Sequence, residues 1–381
     1  MNVAKEGIKL DNCSGRQAGR QAGRQAERNE YLDIVKFVLI FLVVWGHVIQ
    51  CTAQQPTWPE QIDPLIRFIY TAHMPLFMGL CGYFFCKSLR KWNNIREYVK
   101  HKLSSRILGL FVPMLVFGFF KVLLSICEGN YTFSFTNFPF YWLTQARGIW
   151  FLGDLAVNTL ITLCLWHMCK GQFKHDWIFL ILGVPLACIP KITYISPHMY
   201  LYFMTGFIIA AYVQYIKKYI KYWPMVFVLF IGSYICFSNL PWAPLDFTLM
   251  YKKYTPLNLI VNDILKLILG FTGSYLIMLI VYKMLIKCVN GKLIHKAAFV
   301  GTYTLDIYLL QIIMVEGIFR IVNNNYIIAN GIDLFNFTGC FGMLIRIMTT
   351  FVASIIIIEI ILAISKCINK NKVVSKLLFY R

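Results

Sequence analysis

The sequence predicts an all-α polytopic membrane protein with about ten transmembrane helices and with both termini in the cytoplasm. Three observations carry this prediction: the composition, a series of apolar segments, and an uneven distribution of lysine and arginine. Of the 381 residues, 58% are hydrophobic and 14% are charged, whereas soluble domains carry about 25% charged residues. Mean hydropathy is +0.61. This composition excludes a soluble enzyme, a disordered protein and a nucleic-acid-binding protein.

Ten segments are apolar over roughly the 20 residues that a transmembrane helix needs. They cover residues 31–51, 65–86, 107–127, 150–169, 176–192, 198–216, 223–240, 258–282, 297–319 and 341–365. The fifth is the shortest and ends at Pro190. The first carries Asp33 and Lys36 and lacks a small-residue cleavage site, so we interpret it as a retained helix and not as a signal peptide.

Lysine and arginine alternate between the predicted loops as the positive-inside rule requires. If the N-terminus is cytoplasmic, the loops and tails on that side hold 27 of these residues and the opposite loops hold 5. This bias predicts the N-in, C-in orientation and explains most of the net charge of +20. The predicted domains are a basic low-complexity tail (1–30), a ten-helix membrane domain (31–365) and a second basic cytoplasmic tail (366–381).

The first predicted helix carries Asp33, Lys36 and His47, and ionisable residues at membrane depth are functional candidates. Lys36 and His47 are eleven residues apart, which is close to three turns, so they share a helix face about 16 Å apart. If the N-terminus is cytoplasmic, Lys36 places a cation in the inner half of the membrane and His47 places a titratable base in the outer half. A structural explanation stays open, with Asp33 and Lys36 as an i,i+3 pair and His47 bonding between helices.

The second predicted helix places His73 at a depth similar to that of His47. Imidazole is the side chain best suited to proton transfer near neutral pH, so two histidines at one depth indicate an acid–base site. A metal site is not predicted, because carboxylate or cysteine ligands at helical spacing are missing.

Further polar residues collect in the predicted outer half of the membrane and suggest a wet cavity open to the outside. Each of them is also explained by a structural ion pair or hydrogen bond. Lys121 is expected to extend its amine towards the membrane surface. From this group we consider three residues as candidates for orienting a histidine or binding the acceptor: Asp154, Gln311 and Glu316. Asp33 of the first helix is a fourth candidate.

Four segments resemble the acyltransferase family 3 of integral-membrane proteins. Residues 31–47 (YLDIVKFVLIFLVVWGH) are similar to its first helix, in which a basic residue is followed after ten residues by a histidine. Residues 72–84 (AHMPLFMGLCGYF) are similar to its second helix. Residues 150–152 (WFL) and 300–311 (VGTYTLDIYLLQ) resemble two weaker motifs of the family.

The resemblance implies an enzyme that transfers an acyl group, usually acetyl from cytosolic acetyl-CoA, to a hydroxyl of an envelope polysaccharide or lipid-linked glycan. It implies a multi-pass location in a bacterial cytoplasmic membrane. The partners expected are acyl-CoA, the glycan and the bilayer, without nucleic acid and without a bound cofactor. His47 and His73 would then be catalytic. The expected acyl-donor contacts are Lys36, Lys102 and Arg106.

Three positions depart from the family pattern. Lys36 stands where the family usually has arginine, and a lysine keeps the charge but loses the bidentate geometry. Gly109 stands where a second arginine is usual after Arg106, and Lys102 is a candidate substitute. Gln311 stands where a histidine is common.

A different class of protein, a transporter or flippase for a lipid-linked glycan or a small anionic solute, also fits ten helices and paired charges. An internal repeat would favour it, and we find none between the two halves of the sequence. It also leaves unexplained why His47 occurs together with the His-Met-Pro-Leu-Phe run at residues 73–77.

Overall fold

The computed structural model describes residues 29–52, 64–92, 94–129, 131–169, 178–183, 199–216, 221–238, 256–287, 291–323 and 339–380. All regular structure in these ranges is helical, in agreement with the predicted all-α class. The basic tail at residues 1–28 lies outside the described residues. So does most of the predicted fifth segment, of which only residues 178–183 are described, as helix.

The α-helices, in chain order, are α1 (Glu30–Thr52), α2 (Pro64–Leu89), α3 (Ile95–Tyr98), α4 (Ser104–Cys127), α5 (Phe138–Arg147), α6 (Trp150–Met168), α7 (Met199–Ile216), α8 (Trp223–Ser238), α9 (Pro256–Lys287), α10 (Lys292–Gly301), α11 (Thr304–Ile313), α12 (Arg320–Val322), α13 (Gly339–Lys370) and α14 (Lys372–Phe379). Two π-helical segments, π1 (Val99–Leu103) and π2 (Met314–Phe319), join α3 to α4 and α11 to α12.

Six helical stretches among the described residues have the length and apolar composition of a membrane span. They are Glu30–Thr52, Leu65–Leu89, Ile95–Cys127, Trp150–Met168, Asp263–Met284 and Gly342–Lys370. Two shorter apolar helices, Met199–Tyr212 and Trp223–Cys236, match the predicted sixth and seventh segments. The total of about ten spans and their orientation stay predictions.

The predicted ninth segment, residues 297–319, is not one continuous α-helix. α10 ends at Gly301, a turn follows at Thr302 and Tyr303, and α11 then continues into π2. The Thr304 hydroxyl donates to the Gly301 carbonyl, which satisfies a backbone group that the helix end leaves open.

α1 is the central helix, and it packs against α2, α9, α10, α11 and α13. Its side chains Val35, Leu39, Ile40 and Val44 are completely buried. A lipid-facing helix would leave one side of its apolar surface exposed, so this burial places α1 inside the bundle. Its ionisable residues therefore face other helices.

Glycines let α2 and α7 approach closely, and among the described residues these two helices make the most extensive contact. A Cβ at Gly206 would collide with the backbone carbonyl of Gly79, and one at Gly82 would collide with that of Phe203. Small residues at such crossings are the usual means of packing helices in a membrane. The crossing fixes α2, which carries His73.

A buried polar network holds the C-terminal helix α14 against the bundle. Asp306 Oδ2 accepts hydrogen bonds from Ser365 Oγ at 2.5 Å and from Asn369 Nδ2 at 3.0 Å. Ser375 Oγ in turn donates to Asn369 Oδ1 at 2.8 Å. On the other side, Phe379 packs on Phe117 of α4. The network thus joins α11, α13 and α14.

Candidate active site

His47 and Glu316 meet between α1 and π2. His47 Nδ1 lies 3.4 Å from Glu316 Oε1. Both side chains keep 26% of their surface exposed, so they are enclosed by protein and still reachable. Of the three carboxylates that the sequence offered as orienting candidates, Glu316 is thus brought into direct contact with His47.

Lys121 of α4 forms an ion pair with the other oxygen of the Glu316 carboxylate. Its Nζ donates to Glu316 Oε2 at 2.9 Å. The expectation that this lysine extends towards the membrane surface is therefore wrong, because the ion pair keeps the amine inside the bundle. Lys121 is a site residue that the sequence analysis missed.

The segment π2 determines where Glu316 points. π-helical turns are rare in proteins, and those that occur are often found at functional sites. The extra residue in such a turn changes the direction of the side chains around it. Beside Glu316, Gly317 packs against Leu124 of α4, where a Cβ would clash with the leucine side chain. One turn further on, Arg320 donates to both oxygens of Glu128 at 2.6 and 2.8 Å.

His73 lies near His47 and is 2% exposed. The two imidazoles are close enough to interact electrostatically. His73 Nδ1 is 2.6 Å from the carbonyl oxygen of Ile69. A carbonyl only accepts, so Nδ1 carries the proton and Nε2 is left as the acceptor nitrogen of neutral His73. The ring also makes an edge contact with Tyr70.

Asp154 and Gln311 lie deeper, and both are 1% exposed. Asp154 belongs to α6, which begins with the Trp150-Phe151-Leu152 motif. Tyr308 interacts electrostatically with both Asp154 and Glu316 and contacts the backbone of Phe151. Gln311 Oε1 is buried without a hydrogen-bond partner. Tyr308 thus lies within electrostatic range of both Asp154 and Glu316, a position that the sequence did not indicate.

A second cluster is formed by Lys36 and Arg106 beside α2, and we call it the inner cation cluster because the predicted orientation would place it towards the cytoplasm. Lys36 Nζ pairs with Asp33 Oδ1 at 2.6 Å and lies 5.6 Å from the centre of the Phe84 ring. The Arg106 guanidinium lies 4.8 Å from the centre of the adjacent Phe85 ring. Cation–π contact holds both charges beside the helix.

Cys81 lies near both cations, each of which acts electrostatically on its thiol. The Tyr98 hydroxyl is buried there against the Arg106 guanidinium, and Arg106 Nε has no hydrogen-bond partner. Lys102 is exposed on π1, one turn before Arg106. The structure therefore brings Lys36 and Arg106 together and leaves Lys102 at the rim.

The two clusters are connected by the same pair of helices. On α1, Lys36 and His47 are eleven residues apart, about 16 Å along the axis. On α2, Cys81 and His73 are eight residues apart, about 12 Å. Cations thus lie at one end of the α1–α2 pair and imidazoles towards the other.

The described part of the chain contains no set of side chains suited to binding a metal ion. No group of three or more histidine, cysteine, aspartate or glutamate side chains is arranged there to hold an ion. What the site offers chemically is a base, a carboxylate, an ammonium group and, at a distance, two cations. These are the groups that acid–base and acyl-transfer chemistry uses.

Comparison with known proteins supports that chemistry. Residues 29–364 match a family described as an acyltransferase domain, the acyltransferase family 3. The chain is 25% identical over 372 residues to the nodulation protein NolL of Mesorhizobium japonicum, covering 92% of this chain and 90% of that protein. It is 27% identical over 199 residues to NolL of Sinorhizobium fredii, about half of each chain. No solved structure matches. The chain belongs to the acyltransferase family 3 and is a membrane acyltransferase.

Proposed function

We propose that the protein transfers an acetyl group from cytosolic acetyl-CoA to a hydroxyl of an envelope polysaccharide or lipid-linked glycan. Its place is the bacterial cytoplasmic membrane, with the N-in, C-in orientation that the basic loops predict. The observation that carries the proposal is the position of His47. It contacts Glu316 and shares a helix with Lys36 about 16 Å away, at the other end of the site.

The inner cation cluster suits the donor. CoA is a multiply charged anion, so it should stay at the cytoplasmic side, where arginine and lysine bind phosphate groups. Arg106, Lys36 and the exposed Lys102 are its proposed contacts. Arg106 Nε is buried without a hydrogen-bond partner and is available to a polar group of the donor, because a buried donor without a partner gains from a ligand that supplies one.

The reaction requires a base at the acceptor hydroxyl. His47 takes the hydroxyl proton as the oxygen attacks the thioester carbonyl, the C–S bond breaks, and the CoA thiolate leaves and is protonated. An alternative has His47 carry the acyl group transiently before the hydroxyl attacks. His73 has two candidate roles, orienting the glycan hydroxyl or stabilising the oxyanion. Because Nε2 of neutral His73 accepts and does not donate a hydrogen bond, the first role is favoured.

The test is acetyl transfer in isolated membranes that contain the native glycan. We expect labelled acetyl-CoA to label a glycan or glycolipid with the wild type, and His47→Ala to reduce the rate at least about 100-fold, the usual contribution of a general base. His167→Ala, at the exposed end of α6, is the matched control and should transfer normally. Normal transfer by His47→Ala would overturn the proposed role.

A further inference from the structure

We propose that Glu316 and Lys121 are positioning residues for His47. Glu316 holds the imidazole by Nδ1, so that Nε2 is the nitrogen presented to the reacting hydroxyl, and Lys121 holds Glu316 in place. The inference rests on the proposed function, because it assigns two further residues to the base of that reaction. Neither residue needs to touch the donor or the acceptor.

The arrangement of atoms defines the roles. Each carboxylate oxygen of Glu316 has its own partner, His47 Nδ1 at 3.4 Å and Lys121 Nζ at 2.9 Å. A carboxylate only accepts hydrogen bonds, so in the proposed arrangement neutral His47 donates from Nδ1 and has its lone pair on Nε2. A base oriented in this way by a third group is the general geometry of an activated nucleophile.

The three side chains come from three separate elements, α1, α4 and π2. An ionised lysine or glutamate at this depth is costly without a partner, and in this cluster each satisfies the other. Lys121 Nζ also lies near Gly148, where a Cβ would be 3.5 Å from it. The amine thus lies between Glu316 and the turn that precedes Trp150.

A purely structural explanation would have this ion pair fasten π2 to α4. That fastening already exists elsewhere, because Gly317 packs closely on Leu124 and Arg320 bonds both oxygens of Glu128. The two ion pairs join the same two parts of the chain about one turn apart on π2 and α12. Since His47 contacts Glu316, the Glu128–Arg320 pair is a matched control for the structural contribution.

The experiment compares kcat and KM for the variants Lys121→Met, Glu316→Gln and the double variant in purified membranes. We expect kcat to fall by about 10- to 100-fold in each, with KM for acetyl-CoA within about twofold, because an oriented base acts in the transition state. The double variant should lose no more than the worse single variant. Lys121→Arg should recover most of kcat, since it restores the charge and the donor.

Controls separate orientation from folding. Glu128→Gln should keep wild-type kcat, because it breaks the neighbouring ion pair and leaves Glu316 and Lys121 in place, and all variants are compared by thermal unfolding in detergent. If a single variant does not fold, the charge-neutral double variant provides the test, because it leaves no unpaired buried charge. Wild-type kcat in Lys121→Met or Glu316→Gln, or an equal loss in Glu128→Gln, would overturn the positioning role. An active His47→Ala would instead overturn the role of His47 on which the positioning proposal rests, and a wild type that transfers no acetyl group would overturn the proposed function.

Discussion

At the scale of the residue, two neighbouring aromatic side chains of α2 organise the donor end of the site. Phe84 lies beside Lys36 and Phe85 lies beside Arg106, so the two cations contact consecutive residues on one helix. The half-buried Arg106 can bind an anion with little further loss of conformational freedom. Exposed Lys102 would have to be ordered first, which costs side-chain entropy.

Arg106→Gln should therefore weaken donor binding more than Lys102→Gln does. We expect KM for acetyl-CoA to rise about tenfold or more in Arg106→Gln, because a charge-assisted hydrogen bond contributes about 1.5–3 kcal/mol. Lys102→Gln should raise it less, as an exposed contact is screened by solvent. Steady-state kinetics with varied acetyl-CoA measures both, and the reverse order of effects would contradict the proposed donor contacts.

At the scale of the element, the crossing of α2 and α7 is the most sensitive contact. Gly206→Ala should lower the stability by about 1–3 kcal/mol, as overpacking does, since the added Cβ meets the carbonyl of Gly79. Gly232→Ala is the matched control, because a Cβ there has nothing within 4 Å and alanine favours the helix. Thermal unfolding in detergent compares them. Equal stability of the two variants would show that the crossing is looser than described.

The C-terminal helix α14 depends on Asp306 in a similar way. Asp306→Ala leaves Ser365 Oγ and Asn369 Nδ2 without the acceptor they share, and an unsatisfied buried polar group costs about 1–3 kcal/mol. We expect faster proteolytic removal of residues after Asn371. Glu359→Ala, which breaks the exposed Lys296–Glu359 pair, should leave the cleavage rate nearly unchanged. If Asp306→Ala resists cleavage as the wild type does, the network does not hold α14.

At the scale of the whole molecule, the orientation can be tested directly. The positive-inside rule predicts that the loop at residues 131–137 is external and that α14 is cytoplasmic. Ser134→Cys should react with a membrane-impermeant maleimide in intact cells, and Lys372→Cys should react only after permeabilisation. The parent protein is the control for its own cysteines. Labelling of Lys372→Cys in intact cells would show that α14 is external and would contradict the predicted orientation.

The sequence predicts those features of the whole molecule that depend on composition and on helical spacing. Apolar runs predict α1, α2, α4 and α6, and the eleven-residue spacing predicts that Lys36 and His47 share a face. It does not reveal the Lys121–Glu316 pair, because the two residues are 195 positions apart and meet only through π2. The break after Gly301 is also missed; it occurs where α10 packs so closely on α1 that a Cβ at Gly301 would strike the backbone at Asp33.

The most direct test of the central claim is acetyl transfer in sealed vesicles of known orientation. Labelled acetyl-CoA is added outside inside-out vesicles or outside right-side-out vesicles, with wild-type or His47→Ala protein and the native glycan present. We expect labelled glycan only when the cytoplasmic face meets the donor, and none with His47→Ala. Transfer from donor at the opposite face, or equal transfer by His47→Ala, would contradict a cytosolic donor acting through His47.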